Sequence, residues 1–284
     1  MKTIYHFSGA GNDFVVIDGR EGDVSAYREV PRIEALCKQY KTDGLMILGM
    51  PDQVGHDDGS TGSATVMADP DRPSVDFTME FYNPDGSGGM MCGNGGRCIV
   101  AFADYLGIKP ASGGVFLFMA PDGLHTGEIL ERPEDGLWTV RIKMIDVQGI
   151  TPMLGGYFLN TGTRHFVKFV EDVEQVDVDA EGKALRWNEA FAPIGTNVNF
   201  VHVAPDGLHV RTFEKGVEGE TLACGTGLTA SALVAHHAGV PTATPGAYRL
   251  RARQDWLSVN FTPGADEKFT DVYLTGPARL VEIR

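Results

Sequence analysis

The chain has 284 residues, 43% of them hydrophobic and 22% charged, a globular balance with enough length for two ordinary domains. A formal charge of −14 argues against a nucleic-acid groove or an anionic membrane surface, both of which need a basic face. No apolar stretch is long enough to span a bilayer, and the opening Met1-Lys2-Thr3-Ile4-Tyr5-His6 has neither an apolar run nor a small-residue cleavage pattern. The expectation is a cytoplasmic protein with no membrane or nucleic-acid partner.

In chain order, Gly11-Asn12-Asp13-Phe14-Val15 opens the first half. Cys37 ends Ile33-Glu34-Ala35-Leu36-Cys37 and reads as a small buried hydrophobe. Residues 51–74 are rich in Gly, Asp and Ser with few bulky apolar groups, which suits an exposed excursion. Residues 75–82 alternate at period two, the mark of a half-buried strand. A polar, glycine-rich turn over 83–89 leads to Cys92-Gly93-Asn94-Gly95 and a helical run over 97–106, stopped by Gly107. Cys98, inside that helix, takes the same buried reading as Cys37.

The order then recurs. Gly162-Thr163-Arg164-His165-Phe166-Val167 echoes the first opening. Residues 208–213 are strand-like and 214–220 form a polar glycine turn. Cys224-Gly225-Thr226-Gly227 follows, then a helix over 228–235 that ends near Gly239. The interval between echoes shrinks from 152 residues (Phe14 to Phe166) to 132 (Cys92 to Cys224), which places the extra length of the first half in 51–74. Two similar α/β halves with a cleft between them follow, with the seam near 127–131.

Four cysteines in a chain this long, without an export signal, do not make a disulfide framework. Nor do they suit a metal: five residues separate Cys92 from Cys98, and no histidine pair follows at ligand spacing. Two cysteines in matched frames are another matter. A cysteine before Gly-X-Gly at a helix entrance sits among unpaired N–H groups at the positive end of the dipole, which favours thiolate, while burial opposes it. Two such sites facing one cleft would place a base and an acid on opposite faces of an amino-acid α-carbon, with both helix ends stabilising the carbanion's carboxylate. Inversion would result.

These blocks resemble the diaminopimelate epimerases. The resemblance rests on Gly9-Ala10-Gly11-Asn12-Asp13-Phe14-Val15, on Asn83-Pro84-Asp85-Gly86-Ser87 before Cys92-Gly93-Asn94-Gly95-Gly96-Arg97-Cys98, on Thr196-Asn197-Val198-Asn199-Phe200, and on Gly219-Glu220-Thr221-Leu222-Ala223-Cys224-Gly225-Thr226-Gly227. It implies two pseudo-symmetric α/β domains, each a curled mixed β-sheet around a central helix, with the active site in the cleft. The expected division is 1–128 plus 277–284 for the half carrying Cys92, and 129–276 for the half carrying Cys224. It further implies cofactor-independent conversion of L,L- to meso-diaminopimelate in lysine and cell-wall precursor synthesis, without pyridoxal phosphate or metal, by a homodimer.

Carried onto this chain, the resemblance makes Cys92 and Cys224 the acid–base pair. Gly93, Asn94, Gly225 and Thr226 would supply donors to the reacting carboxylate. Asn12, Asn83, Asn197, Glu214 and Lys215 would bind other substrate groups, with His165 and Glu214 tuning the thiols. Three positions depart from the family pattern: Thr163-Arg164-His165 replaces Asn-Pro-His, Glu214-Lys215 replaces Glu-Arg, and Gly44 replaces Gln. Lysine lacks arginine's bidentate fork, and Arg164 is the expected compensation at the distal carboxylate. The alternatives are a racemase of another amino acid using the same cysteines and a non-catalytic amino-acid-binding protein. A thiol redox protein would show Cys-X-X-Cys, which is absent.

Overall fold

The computed structural model describes residues 2–51, 74–88, 91–111 and 113–284. The excursion expected over 51–74 lies, but for its end residues, outside the described residues.

Strands β1 (Ile4–Gly9) and β2 (Asn12–Asp18) form a hairpin through Ala10 and Gly11, both at positive φ, a turn that matches the natural twist of paired strands. Helix α1 (Val30–Tyr40) crosses over to β3 (Gly44–Gly49), parallel to β2, and β4 (Phe77–Tyr82) returns antiparallel. Helix α2 (Gly93–Tyr105) then leads to β5 (Val115–Ala120), parallel to β4, and β6 (Gly123–Glu134) and β7 (Leu137–Lys143) follow antiparallel.

After the short β8 (Val147–Gln148) and β9 (Thr151–Met153) the series begins again. Strands β10 (Gly156–Asn160) and β11 (Arg164–Phe169) form a hairpin, α3 (Val178–Arg186) crosses to the parallel β12 (Asn197–Ala204), and β13 (Gly207–Glu214) returns. A short β14 (Gly219–Thr221) adds to β13 in what the sequence reads as a plain turn. Helix α4 (Gly225–His237) leads to β15 (Ala247–Arg251), parallel to β13, and β16 (Trp256–Pro263) and β17 (Lys268–Ile283) complete the antiparallel run. Pairing sense and crossover helices thus repeat step for step.

One long strand stitches the two series together. The start of β17 pairs with β16 and β8, and from Gly276 onward it pairs with β7 and β1. The seam expected near 127–131 falls inside β6, which remains paired with β5 and β7; the second series starts only after Lys143.

Each series wraps a helix buried along most of its length. In α2, residues Cys98, Ile99, Val100, Ala101, Phe102 and Ala103 are fully buried, as are Ala230, Ala232, Leu233, Val234 and Ala235 in α4. The outer helices bury one face only: α1 sets Ile33, Leu36 and Cys37 on Val15, Ile17, Leu45 and Ile47, and α3 sets Val178 on Phe166, Val198 and Phe213. Among the described residues no helix is long and apolar enough to cross a membrane.

Candidate active site

The ends of the helices differ in a telling way. Asp177 caps α3 by accepting a hydrogen bond from Ala180 N at 3.0 Å, whereas α2 and α4 have Cys92 and Cys224 at the cap position and no side-chain cap bond. Their first N–H groups therefore remain available to an anion. Both helices are 13 residues long, and both cysteines hold extended backbone.

The two first turns meet glycine against glycine. A Cβ built on Gly225 would stand 3.7 Å from Gly93 Cα and 3.8 Å from Asn94 Oδ1, and one on Gly93 would stand 3.9 Å from Gly225 Cα. The two backbones thus come within van der Waals reach of each other. Asn94 ties the turns together: its Nδ2 donates to Asn12 Oδ1 at 2.5 Å and, at 3.3 Å, to the carbonyl of Ala223, the residue before Cys224. The expected Asn12, Gly93, Asn94 and Gly225 thus converge where Cys92 and Cys224 begin their helices.

Around Cys224 lies a buried polar chain. Thr212 Oγ1 donates to Asn199 Oδ1 at 3.0 Å, and Asn199 Nδ2 donates to His165 Nδ1 at 3.0 Å and to the Phe166 carbonyl at 3.2 Å. Because an amide nitrogen can only donate, His165 Nδ1 is the acceptor and Nε2 carries the proton. Nε2 lies 2.9 Å from Thr163 Oγ1 and 3.0 Å from Thr226 Oγ1, which itself lies 3.5 Å from Cys224 Sγ. His165 is fully buried, and burial drives its pKa down to about 3, with the Asn199 contact opposing. The imidazole is neutral and reaches the thiol through the Thr226 hydroxyl.

Both sulfurs share one electrostatic setting. Burial pushes the Cys92 thiol above its usual pKa, while the Gly95 and Asn94 N–H groups and the Arg97 guanidinium pull it back. Burial also pushes Cys224 up, opposed by the Thr226 hydroxyl and the Gly227 N–H. Glu214 raises both, and Cys92 raises Cys224. The contest left open by the sequence, dipole against burial, falls on the side of neutral thiols. Glu214 is itself raised, chiefly by burial and further by Asp43, with a 2.9 Å hydrogen bond from Thr221 Oγ1 opposing.

Other expected residues hold loops. Asn197 Nδ2 donates to the Arg164 carbonyl at 2.9 Å, and its Oδ1 accepts from Lys215 N at 2.8 Å, leaving the Lys215 side chain exposed beside Glu214. Asn83 donates to Ser87 Oγ at 3.0 Å within its own turn. Arg164, expected at the distal carboxylate, neighbours His165 in the chain. On β11 its side chain takes the opposite face from His165, stacks 5.1 Å from the Phe158 ring centroid, and donates to the Phe191 carbonyl at 3.4 Å. Strand alternation sends one of two neighbouring residues to the cleft and the other to the α3 layer. At Gly44 a Cβ would stand 2.8 Å from the Tyr82 carbonyl oxygen, so the family's Gln does not fit this strand as built.

Cys37 and Cys98 are core thiols, as read. Among the described residues no group of three or more His, Cys, Asp or Glu could hold a metal ion. Sequence reasoning missed Asn199 and Thr212 as members of the chain behind Cys224. Asn199 had a usable signal, since strand alternation puts it on the face of Asn197.

The fold is shared with solved structures of low sequence identity. The phenazine biosynthesis protein of the PhzF family from Bacillus anthracis superposes with a TM-score of 0.69 at 12% identity, covering 100% of this chain and 98% of that one. A hydroxyproline epimerase from Agrobacterium vitis, solved with trans-4-hydroxy-L-proline bound, gives 0.62 at 15% identity, covering 100% and 91%. In sequence, residues 157–281 match the diaminopimelate epimerase family model. Proteins named diaminopimelate epimerase from Chlorobaculum tepidum and Aquifex aeolicus are each 37% identical over 96% of this chain and over 97% and 93% of their own lengths. The one from Flavobacterium psychrophilum is 34% identical over 98% and 97%. Identity at this level over nearly the whole length means that the chain belongs to the diaminopimelate epimerase family.

Proposed function

We propose that this protein interconverts L,L- and meso-diaminopimelate by a two-base mechanism, as an isomerase of lysine and peptidoglycan precursor synthesis that needs neither pyridoxal phosphate nor metal. The observation that carries the reading is the meeting of two equal helices at their first turns, each opened by a cysteine and both thiols facing the influence of one carboxylate, Glu214.

In the working state one sulfur is thiolate and the other thiol. The thiolate takes the α-proton, forming an S–H bond as the C–H bond breaks, and the electron pair spreads into the substrate carboxylate. The free N–H groups of Gly93, Asn94, Gly225 and Thr226 would receive that developing charge. The second thiol then gives its proton to the opposite face of the carbon. The pair ends with roles exchanged, which suits a reaction that must run both ways.

Glu214 keeps the two thiols from ionising together, and the neutral His165 holds Thr226 against Cys224. Asn12 and Asn197 would orient the substrate, with Asn83 and Lys215 toward its distal end. The domain assignment that goes with this reading runs to Lys143 for the Cys92 half, joined by the strand from Gly276, rather than to residue 128. Because both thiols must stay reduced, the protein belongs in the cytoplasm; a homodimer goes with the family reading, and light scattering of the purified protein would check it.

A second reading has its own support. Arg164 turned onto Phe158, Lys215 in place of Arg and a closed-off Gly44 leave the distal end unlike the family pattern, which would suit a different amino acid. The test is chiral analysis of L,L-diaminopimelate incubated with the reduced protein and no added cofactor. Appearance of the meso isomer, lost in Cys92→Ala and in Cys224→Ala, is expected. Turnover of other amino acids alone would establish the second reading, and near-normal turnover in either variant would refute the two-base scheme.

A further inference from the structure

Arg97 heads the fully buried side chains by volume and is 0% exposed. Its Nη2 donates to Asn94 Oδ1 at 2.8 Å; otherwise the guanidinium reaches only the carbonyls of Gly9, Gly93 and Pro277, each at 3.4 Å. Strand β17 passes close over it, for a Cβ on Gly276 would stand 3.2 Å from Arg97 Nε. Among the described residues no carboxylate lies within ion-pair distance of it. A guanidinium cannot shed its proton as a buried lysine can, so the charge is permanent.

Burying a cation without an acid opposite it is costly, and proteins usually pair such charges. Here the groups able to carry an opposing charge that Arg97 feels most are Cys98, then Cys92, then Asp255. Cys98 is sealed in the core, and burial drives its pKa upward, which leaves it neutral. Cys92 is the remaining one at the cleft. Arg97 also fixes the amide of Asn94: with Oδ1 held by the guanidinium, Nδ2 must face Asn12 and the Ala223 carbonyl beside Cys224.

We propose that Arg97 is a positioning residue of the reaction, the fixed positive charge beneath the first turn of α2 that favours the anionic form of Cys92 and locks Asn94 across to the Cys224 segment. This rests on the two-thiol reading above. Its cost in an unpaired buried charge is offset only when an anion forms in the cleft, so the residue serves the reaction at the expense of the resting fold.

Two variants separate charge from geometry. Arg97→Met removes both, and Arg97→Lys keeps a charge but loses the fork on Asn94. The readouts are the pH dependence of Cys92 alkylation by iodoacetamide, followed by peptide mass, the melting temperature, and kcat and KM. For Arg97→Met the alkylation midpoint should move up by about one pH unit and kcat should fall about 100-fold with KM nearly unchanged, while the melting temperature stays near that of the parent. For Arg97→Lys, which loses the Nη2 bond to Asn94 Oδ1, the midpoint should stay near the parent while kcat falls about tenfold. A parental midpoint in the Met variant, an equal shift in both variants, or a Met variant too unstable to purify would each overturn the proposal, the last by showing a structural arginine. Alkylation needs no substrate, so failure of the parent protein to turn over diaminopimelate would refute the function without touching this result.

Discussion

Replacing Gly227 with alanine should destabilise the protein, although helix propensity alone favours the change by about 1 kcal/mol. Gly227 lies in the first turn of α4, and a Cβ there would overlap Asn199 Oδ1 and stand 3.3 Å from Cys224 Cβ. Asn199 has nowhere to go. It is fully buried, and three hydrogen bonds of 3.0, 3.2 and 3.0 Å bind it to His165, Phe166 and Thr212. Breaking two of them costs about 1–3 kcal/mol each, so after the helix gain the net loss is about 1–5 kcal/mol, or a fall in melting temperature of about 2–9 °C. The matched position in α2 supplies the control. A Cβ on Gly95 meets the flexible tips of Met46 and Met79, at 3.2 and 3.6 Å, and Cys92 Cβ at an ordinary 3.7 Å, so Gly95→Ala should stay within about 1 kcal/mol of the parent. Thermal unfolding by circular dichroism reads both. A Gly227→Ala protein as stable as Gly95→Ala would refute the role given to the chain behind Cys224.

Burial raises both cleft thiols, so alkylation of Cys92 and Cys224 should be slow at neutral pH and climb through the alkaline range; a midpoint below about 8.5 would contradict this. His165 is held at about 3 against an unfolded value of 6.5, so the stability it contributes is full above pH 6.5 and is lost as pH falls toward 3. The slope is about 1.4 kcal/mol per pH unit; urea unfolding of His165→Gln between pH 4 and 7 should lack that component, and equal slopes in both proteins would count against a buried neutral histidine. Arg164→Ala should leave the KM for diaminopimelate unchanged, since the guanidinium sits on Phe158; a tenfold rise would bring Arg164 back to the substrate.

The cysteine pair was readable because Gly-X-Gly follows each thiol at a helix entrance and because that context occurs twice. The two central helices were readable in existence, though burial on every face hides their orientation. The seam is hard to read because β6 is long and its polar end resembles a linker, whereas its pairing with β7 is a non-local fact. The direction of the Arg164 side chain was not readable for want of the strand register, which decides the face each side chain takes. Arg97 escaped notice because a lone arginine on a helix ordinarily reads as a solvated charge. Only the closing of β1 and β17 over it, from opposite ends of the chain, turns it into a buried one.

The most direct trial of the account is where the hydrogen goes. L,L-diaminopimelate is incubated with the reduced enzyme in deuterated water and sampled at low conversion; chiral chromatography separates substrate from product, and mass spectrometry reads the deuterium content of each. With one sulfur removing a proton and the other delivering a solvent deuteron, the meso product carries deuterium at the inverted carbon while unreacted substrate stays unlabelled. Unlabelled meso product, or deuterium entering the substrate ahead of the product, would mean that a single group serves both faces, and the paired-helix mechanism would be wrong.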